Sequence, residues 1–187
     1  NKPSQKGKAD MEYGETIGPD QLARMDFCAD LTQEHCAILA SLATPAEFEF
    51  DQTIFRSGEP ADACYLVELG LIALEICAAG IGCRRIGTAG PGELIGWSPL
   101  ISDSCFTATA RALENSRVLR IPSSELRTAC DQNPEFGYQI LKRVVRVLAA
   151  RINATRMQML DLFGPEHPSI FDFPETASPT GDGNGNR

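Results

Sequence analysis

The sequence predicts a mainly β domain with flanking helices, and three observations carry that reading: a central stretch of short β-type runs, a helical periodicity ahead of it, and a long heptad-spaced segment behind it. Between Pro45 and Pro122 the runs AEFEF, TIFRSG, CYLVELG, LIALEICAAG, CRRIGTAG, ELIGWSPLI, FTATARAL and SRVLRIP are punctuated by Gly, Pro and Asp. About eight strands at intervals of roughly 8 to 12 residues leave no room for crossover helices, so they read as a sandwich or barrel. In FTATARAL, Phe106, Ala108, Ala110 and Ala112 fall on one face and Thr107, Thr109 and Arg111 on the other.

From Gly18 to about Ala43 the apolar positions Leu22, Met25, Phe27, Leu31, Cys36, Leu39 and Leu42 recur at helical intervals, with Asp30 and Thr32 as caps. After Pro122, Ser123 and Ser124 cap a short helix through Ala129, and Asn133 followed by Pro134 starts a long one, residues 133–163. Along it Leu141, Val145, Leu148, Ile152, Thr155, Met159 and Leu162 alternate steps of four and three, a heptad seam. β-Branched residues at a with Leu at d favour a parallel two-stranded pairing, so the expected partner is a second copy of the chain; the alternative is that the stripe packs only against the chain's own barrel. A second apolar set, Ile140, Val144, Val147 and Leu160, offers another face to the barrel, and Lys142, Arg143, Arg146, Arg151 and Arg156 read as a solvated flank, with a ligand or partner contact as the alternative.

The chain of 187 residues suits one folded unit, residues 18–163, between a disordered tail at 1–17 and a disordered acidic, Gly/Pro-rich tail at 164–187, where Ile170, Phe171 and Phe173 could anchor. A formal net charge of −8 works against broad attraction to nucleic acid or anionic lipid. No run of about 18 apolar residues is present, so no membrane span is expected and the location expected is cytoplasmic. Seven scattered cysteines fit free thiols in a reducing compartment. Cys77 and Cys83 flank a hairpin tip and read as two small packed residues, with a redox pair as the alternative. His35 and His167 make no zinc set, and the cysteines lack the tight N-terminal cluster of an iron–sulfur centre, so no metal is expected. Without GxSxG, HExxH or a P-loop, the chain reads as a regulatory module and not an enzyme.

The text QTIFRSGEPADACYLVELGLIALEI, with Gly58 and Gly70 at turns, and Pro91-Gly92-Glu93-Leu94 after it, resembles the cyclic nucleotide-binding domains of the catabolite-activator (Crp/Fnr-like) superfamily over residues 48–163. The resemblance implies an eight-stranded double-stranded β-helix, a β-roll or jelly roll, closed by a long dimerisation helix. It also implies a phosphate-binding cassette in which backbone N–H groups and an Arg hold the cyclic phosphate and a Glu takes the ribose hydroxyl. Gly92, Glu93, Leu94 and Ile95 then form the start of the cassette, Glu93 matching the ribose-binding Glu. Thr107 matches the Ser/Thr after the cassette Arg, and Thr155 falls where the long helix would cap the base.

Phe106 stands in place of the Arg, and Ile95 where a small residue usually admits the phosphate. A buried phosphate without its guanidinium loses several kcal/mol, about a thousandfold in affinity or more, so ordinary cAMP or cGMP binding is not expected. Asp51, where the family often has Gly, alters a turn. The superfamily's transcription regulators carry a helix-turn-helix of on the order of 50 residues after the long helix. Only a short acidic tail follows Phe163, so direct DNA binding is not expected.

The altered cassette, with apolar Trp97, Pro99, Leu100 and Ile101, has two readings: a pocket retuned for another small ligand, or one filled by its own side chains. The first gives a homodimeric ligand-sensing regulatory domain. The second gives a ligand-free structural or protein-interaction module that dimerises around a degenerate pocket. No cofactor is implied beyond a cyclic nucleotide or other small ligand.

Overall fold

Period-two alternation decides where the core lies. In β3 (Ala63–Leu69) the first five residues are all buried, because Cys64 and Leu66 pack among residues of the helices while Ala63, Tyr65 and Val67 point the other way, into a roll of strands. β8 (Ser116–Pro122) repeats the division, with Leu119 and Ile121 toward the helices and Val118 into the roll. The computed structural model describes residues 17–78, 80, 82–101 and 105–162. Phe163, the last residue of the expected helix, and the expected tail at 164–187, with His167, Ile170, Phe171 and Phe173, lie outside them, as do residues 1–16.

The chain enters through α1 (Pro19–Ala23), a 3-10 turn (Asp26–Cys28) and α2 (Gln33–Leu42). Thr32 caps α2 as expected, its hydroxyl accepting the His35 N–H at 3.2 Å. Asp30 does not cap; it turns the chain with φ +65°. Ile17, placed by sequence in the tail, is buried.

The remaining strands are β1 (Thr44–Phe48), β2 (Thr53–Phe55), β4 (Ile72–Ala78), β5 (Gly82–Ala89), β6 (Leu94–Ile95) and β7 (Thr109–Ala112). They form two four-stranded antiparallel sheets, ordered β1-β8-β3-β6 and β2-β7-β4-β5, so the eight-stranded jelly roll is observed. Gly70 turns β3 into β4 with φ +94°, and a Cβ there would lie 2.2 Å from the Ser116 hydroxyl. Asp51, at φ +69°, adopts the same left-handed conformation that glycine takes freely. β7 is shorter than FTATARAL suggested. Thr109, assigned to the polar face, is buried because its hydroxyl accepts the Ser57 N–H at 3.1 Å.

α3 (Ser123–Gln132) runs past Ala129, and its serines do not cap it; Pro122 is the capping position and the Ser123 hydroxyl donates to the Asp62 carbonyl at 2.9 Å. Asn133 does open α4 (Pro134–Leu162), its side-chain oxygen accepting the Phe136 N–H at 3.0 Å. Phe136, Ile140 and Val144 bury one stripe of α4 against the helical core, with Val147 at its edge. Leu160 does not join them and is exposed.

Arg143 is also no part of a solvated flank. It is buried, donating from Nη1 to the Gln139 carbonyl at 2.9 Å and from Nη2 to the Ala29 carbonyl, which ties α4 to the N-terminal turn. Of the heptad seam, Leu141, Val145, Ile152, Thr155 and Met159 are exposed in the single chain, whereas Leu148 is half-buried against the chain's own core. The side chain of Leu162 lies outside the described residues.

Candidate ligand site

The cassette turn is fixed by backbone pairing. The Gly92 N–H donates to the Val67 carbonyl at 2.8 Å, the Val67 N–H to the Glu93 carbonyl at 3.0 Å, and the Phe27 N–H to the Gly92 carbonyl at 2.9 Å. Gly92 has φ +86°, and a Cβ there would come within 2.8 Å of the Asp26 nitrogen, so only glycine lets the cassette lie against the first 3-10 turn. Glu93 is exposed, and its Oε2 accepts the Gly90 N–H at 2.7 Å. Leu94 and Ile95 are buried and pair with Leu66 and Tyr65 of β3.

Inside the roll an aromatic stack occupies the cassette. Phe106 lies on Phe55 with ring centroids 4.0 Å apart and planes 16° from parallel, and Phe55 in turn stacks on Tyr65 at 5.5 Å. Gly96, at φ +67°, makes room for the stack, since a Cβ would meet the Phe106, Phe55 and Tyr65 rings at 3.1 to 3.3 Å. The Phe106 N–H donates to the Glu59 carbonyl at 2.9 Å, and its carbonyl accepts the Gly58 N–H at 2.8 Å. Burial pushes the Tyr65 hydroxyl pKa above its usual value.

What the stack leaves is a cavity of about 120 Å³, walled by Phe106, Trp97, Leu74 and Ile86 and reached by Thr107, Thr155 and Arg151. The structure therefore brings Ile95, Phe106, Thr107 and Thr155 to one cavity. Gly92, Glu93 and Leu94 line a separate one of about 250 Å³, which faces α4 and the N-terminal turn. Arg151 borders both. Its Nη1 donates to the Thr88 carbonyl at 3.0 Å, and Gln158 donates to the Ile86 carbonyl at 3.4 Å, so α4 is fastened to β5 beside the smaller cavity. Arg111 points elsewhere, with Glu75 at 3.4 Å and Asp51 at 3.3 Å.

Sequence reading missed the part of Arg143 and Arg151. The signal was the spacing: Arg143 follows Ile140 by three and precedes Val147 by four, which puts it on the buried stripe. A second correction concerns the cysteines. Cys77 and Cys83 are exposed, directly opposite across β4 and β5, and form a disulfide, so they are not two small packed residues. Glu75 brings a carboxylate within 4.8 Å of both sulfurs, yet sulfurs bonded to each other offer no thiolate to a metal. Cys28, Cys36 and Cys64 are buried free thiols, and desolvation pushes the pKa of Cys28 and Cys64 up to about 12.

No helix among the described residues is long and apolar enough to cross a membrane. Residues 45–133 match the family model of the cyclic nucleotide-binding domain. The chain is 25% identical over 147 residues to a CRP-like cAMP-activated global transcriptional regulator of Mycobacterium tuberculosis, covering 79% of this chain and 64% of that protein, so it spans just under two thirds of the regulator's length.

Among solved structures, a candidate cyclic nucleotide-binding protein from Geobacter metallireducens GS-15 is 27% identical at a TM-score of 0.65, with 73% of this chain and 98% of that one covered. The N-terminal domain of a transcriptional regulator from Streptomyces coelicolor A3(2) is 28% identical at a TM-score of 0.59, covering 70% and 94%. With the eight-stranded roll, the turn at Gly92 and the long closing helix all in place, residues 45–133 match a cyclic nucleotide-binding domain, and the structures the chain resembles are Crp/Fnr-like cyclic nucleotide-binding proteins.

Proposed function

We propose that this domain is the sensing part of a homodimeric regulator whose β-roll takes a small, largely apolar or aromatic ligand in place of cAMP or cGMP. The observation that carries the reading is the Phe106–Phe55 stack, which sets a ring where the resemblance places a phosphate-binding guanidinium. A cavity of about 120 Å³ remains beside it. That is close to the roughly 150 Å³ of an apolar cavity able to hold benzene, and below the roughly 300–1,000 Å³ of pockets for drug-sized ligands.

The output path is α4. A molecule in the cavity touches Ile86, Arg151 and Thr155 together, and so acts where α4 is fastened to β5. The exposed row Leu141, Val145, Ile152 and Met159 gives the helix a second copy to pair with, as a heptad seam does. Ser98, Thr107, Thr155 and Arg151 give the cavity wall hydroxyls and one guanidinium, groups that can hydrogen-bond a ligand.

The stack also favours a second reading, in which the roll is filled by its own side chains and serves dimerisation and protein contacts alone. A thermal-shift screen against cAMP, cGMP, indole and small aromatic acids separates the two. At about a hundredfold excess over Kd, a true ligand adds about 2.7 kcal/mol of stability. Stabilisation by an aromatic probe supports the sensor, and silence across the panel supports the filled roll.

A further inference from the structure

The cavity of about 250 Å³ between the cassette turn and α4 shares Arg151 alone with the β-roll cavity, and its chemistry differs. Arg143, Arg146 and Arg151 converge on it from α4, Asp26 comes from the first 3-10 turn, and Gly92 and Glu93 from the cassette. Three arginines and two acidic residues line it; one carboxylate oxygen of Glu93 is already taken by the Gly90 N–H, and Arg151 Nη1 by the Thr88 carbonyl.

Arg143 is 3% exposed, and while its terminal nitrogens reach Gln139 and Ala29, its buried Nε has no hydrogen-bond partner among the described residues. An unpaired buried donor is costly, and it is more so on a cation. Burial and the neighbouring charge of Arg146 both lower the Arg143 pKa, opposed by Asp30 and by Cys28 and Cys36. Two like charges held close by one helix face are relieved by an anion between them.

The walls are also set in advance. The Phe27–Gly92 hydrogen bond and the contact at Asp26 that only a glycine allows hold turn and cassette together, so little ordering is left to binding. We propose that this cavity binds a small oxyanion, phosphoryl or carboxylate, whose charge meets Arg143, Arg146 and Arg151 and whose adjacent hydroxyl or amino group donates to Asp26 or Glu93. The anion-holding role that the cassette lost at Phe106 is taken up by α4 on the other side of the cassette strand. The inference rests on reading the domain as a ligand sensor, and it adds a second site to the one inside the roll.

The test is calorimetry on the purified chain at low ionic strength, with glycerol 3-phosphate, inorganic phosphate and glycerol as probes, and indole titrated in parallel. Glycerol 3-phosphate is expected to saturate more tightly than inorganic phosphate, glycerol not to bind, and affinity to fall as salt rises. Arg146→Gln, at an exposed position, should weaken the anion about tenfold, the loss of one charge-assisted hydrogen bond. The unliganded melting temperature separates loss of the site from loss of the fold.

No saturation by either anion below ~10 mM overturns the site, as does binding that neither Arg146→Gln nor Arg151→Gln changes. If indole binds and the anions do not, this site falls and the sensor reading stands. If nothing binds, both fall.

Discussion

Phe106 stacks on Phe55 at 4.0 Å, and that contact decides what the roll can hold. Both rings are buried, so removing one leaves a hole that the paired backbone around Phe106 does not let collapse. Phe106→Ala should cost about 3–5 kcal/mol in chemical denaturation. The same variant should then gain melting temperature from benzene or indole by more than the wild type does, because those molecules refill the space. An equal response from the two proteins would place the aromatic site elsewhere.

The seam of α4 predicts a dimer that single charges can break. Val145 and Ile152 are about half exposed in the single chain, so Val145→Asp or Ile152→Asp should convert a dimer to a monomer by light scattering with the monomer still folded. Leu148→Asp should behave differently. Its side chain packs partly on the chain's own core, so the charge should also lower the stability of the monomer. A wild-type chain that is already monomeric at high micromolar concentration would rule out the seam.

The hairpin disulfide is open to direct assay. Non-reducing mass analysis should show Cys77 and Cys83 joined and Cys105, which is exposed, as the thiol most readily alkylated in the folded protein. Because the bond closes a loop with a sequence separation of 6, its reduction should cost at most about 2 kcal/mol and leave the roll intact. Unfolding on reduction would contradict a bond confined to the tip of one hairpin.

Alkaline stability follows from the buried thiols. The pKa of Cys28 and Cys64 is raised from 9.0 to about 12 in the folded chain, so between these values the native state binds more protons than the unfolded one. Their contribution is complete below about pH 9 and is lost as pH rises toward about 12. Denaturation midpoints should therefore fall over that window, and the double variant Cys28→Ala/Cys64→Ala should flatten the slope.

The strands and their number were legible because a β-roll writes itself locally, in short alternating runs cut by glycine, and Gly58 and Gly70 stand at positive φ where those cuts were read. The heptad spacing of α4 and the Asn133 cap were legible for the same reason, since both are relations between residues a few positions apart. That a phenylalanine, Phe106, stands where the resemblance places the cassette arginine is a reading of one letter, and the structure shows its ring stacked on Phe55.

Other features needed the folded chain. That Arg143 is buried depends on the Ala29 carbonyl 114 residues away, and that Cys77 bonds Cys83 depends on the register of β4 against β5. The division of the expected site into two cavities depends on the cassette strand standing between the roll and α4, with Ile95 turned to one and Glu93 to the other. Sequence alone determined which elements form, because propensity, capping and periodicity act over one or two turns of chain. Only the tertiary structure decided which side chains meet, because burial and pairing are properties of surfaces brought together from distant segments.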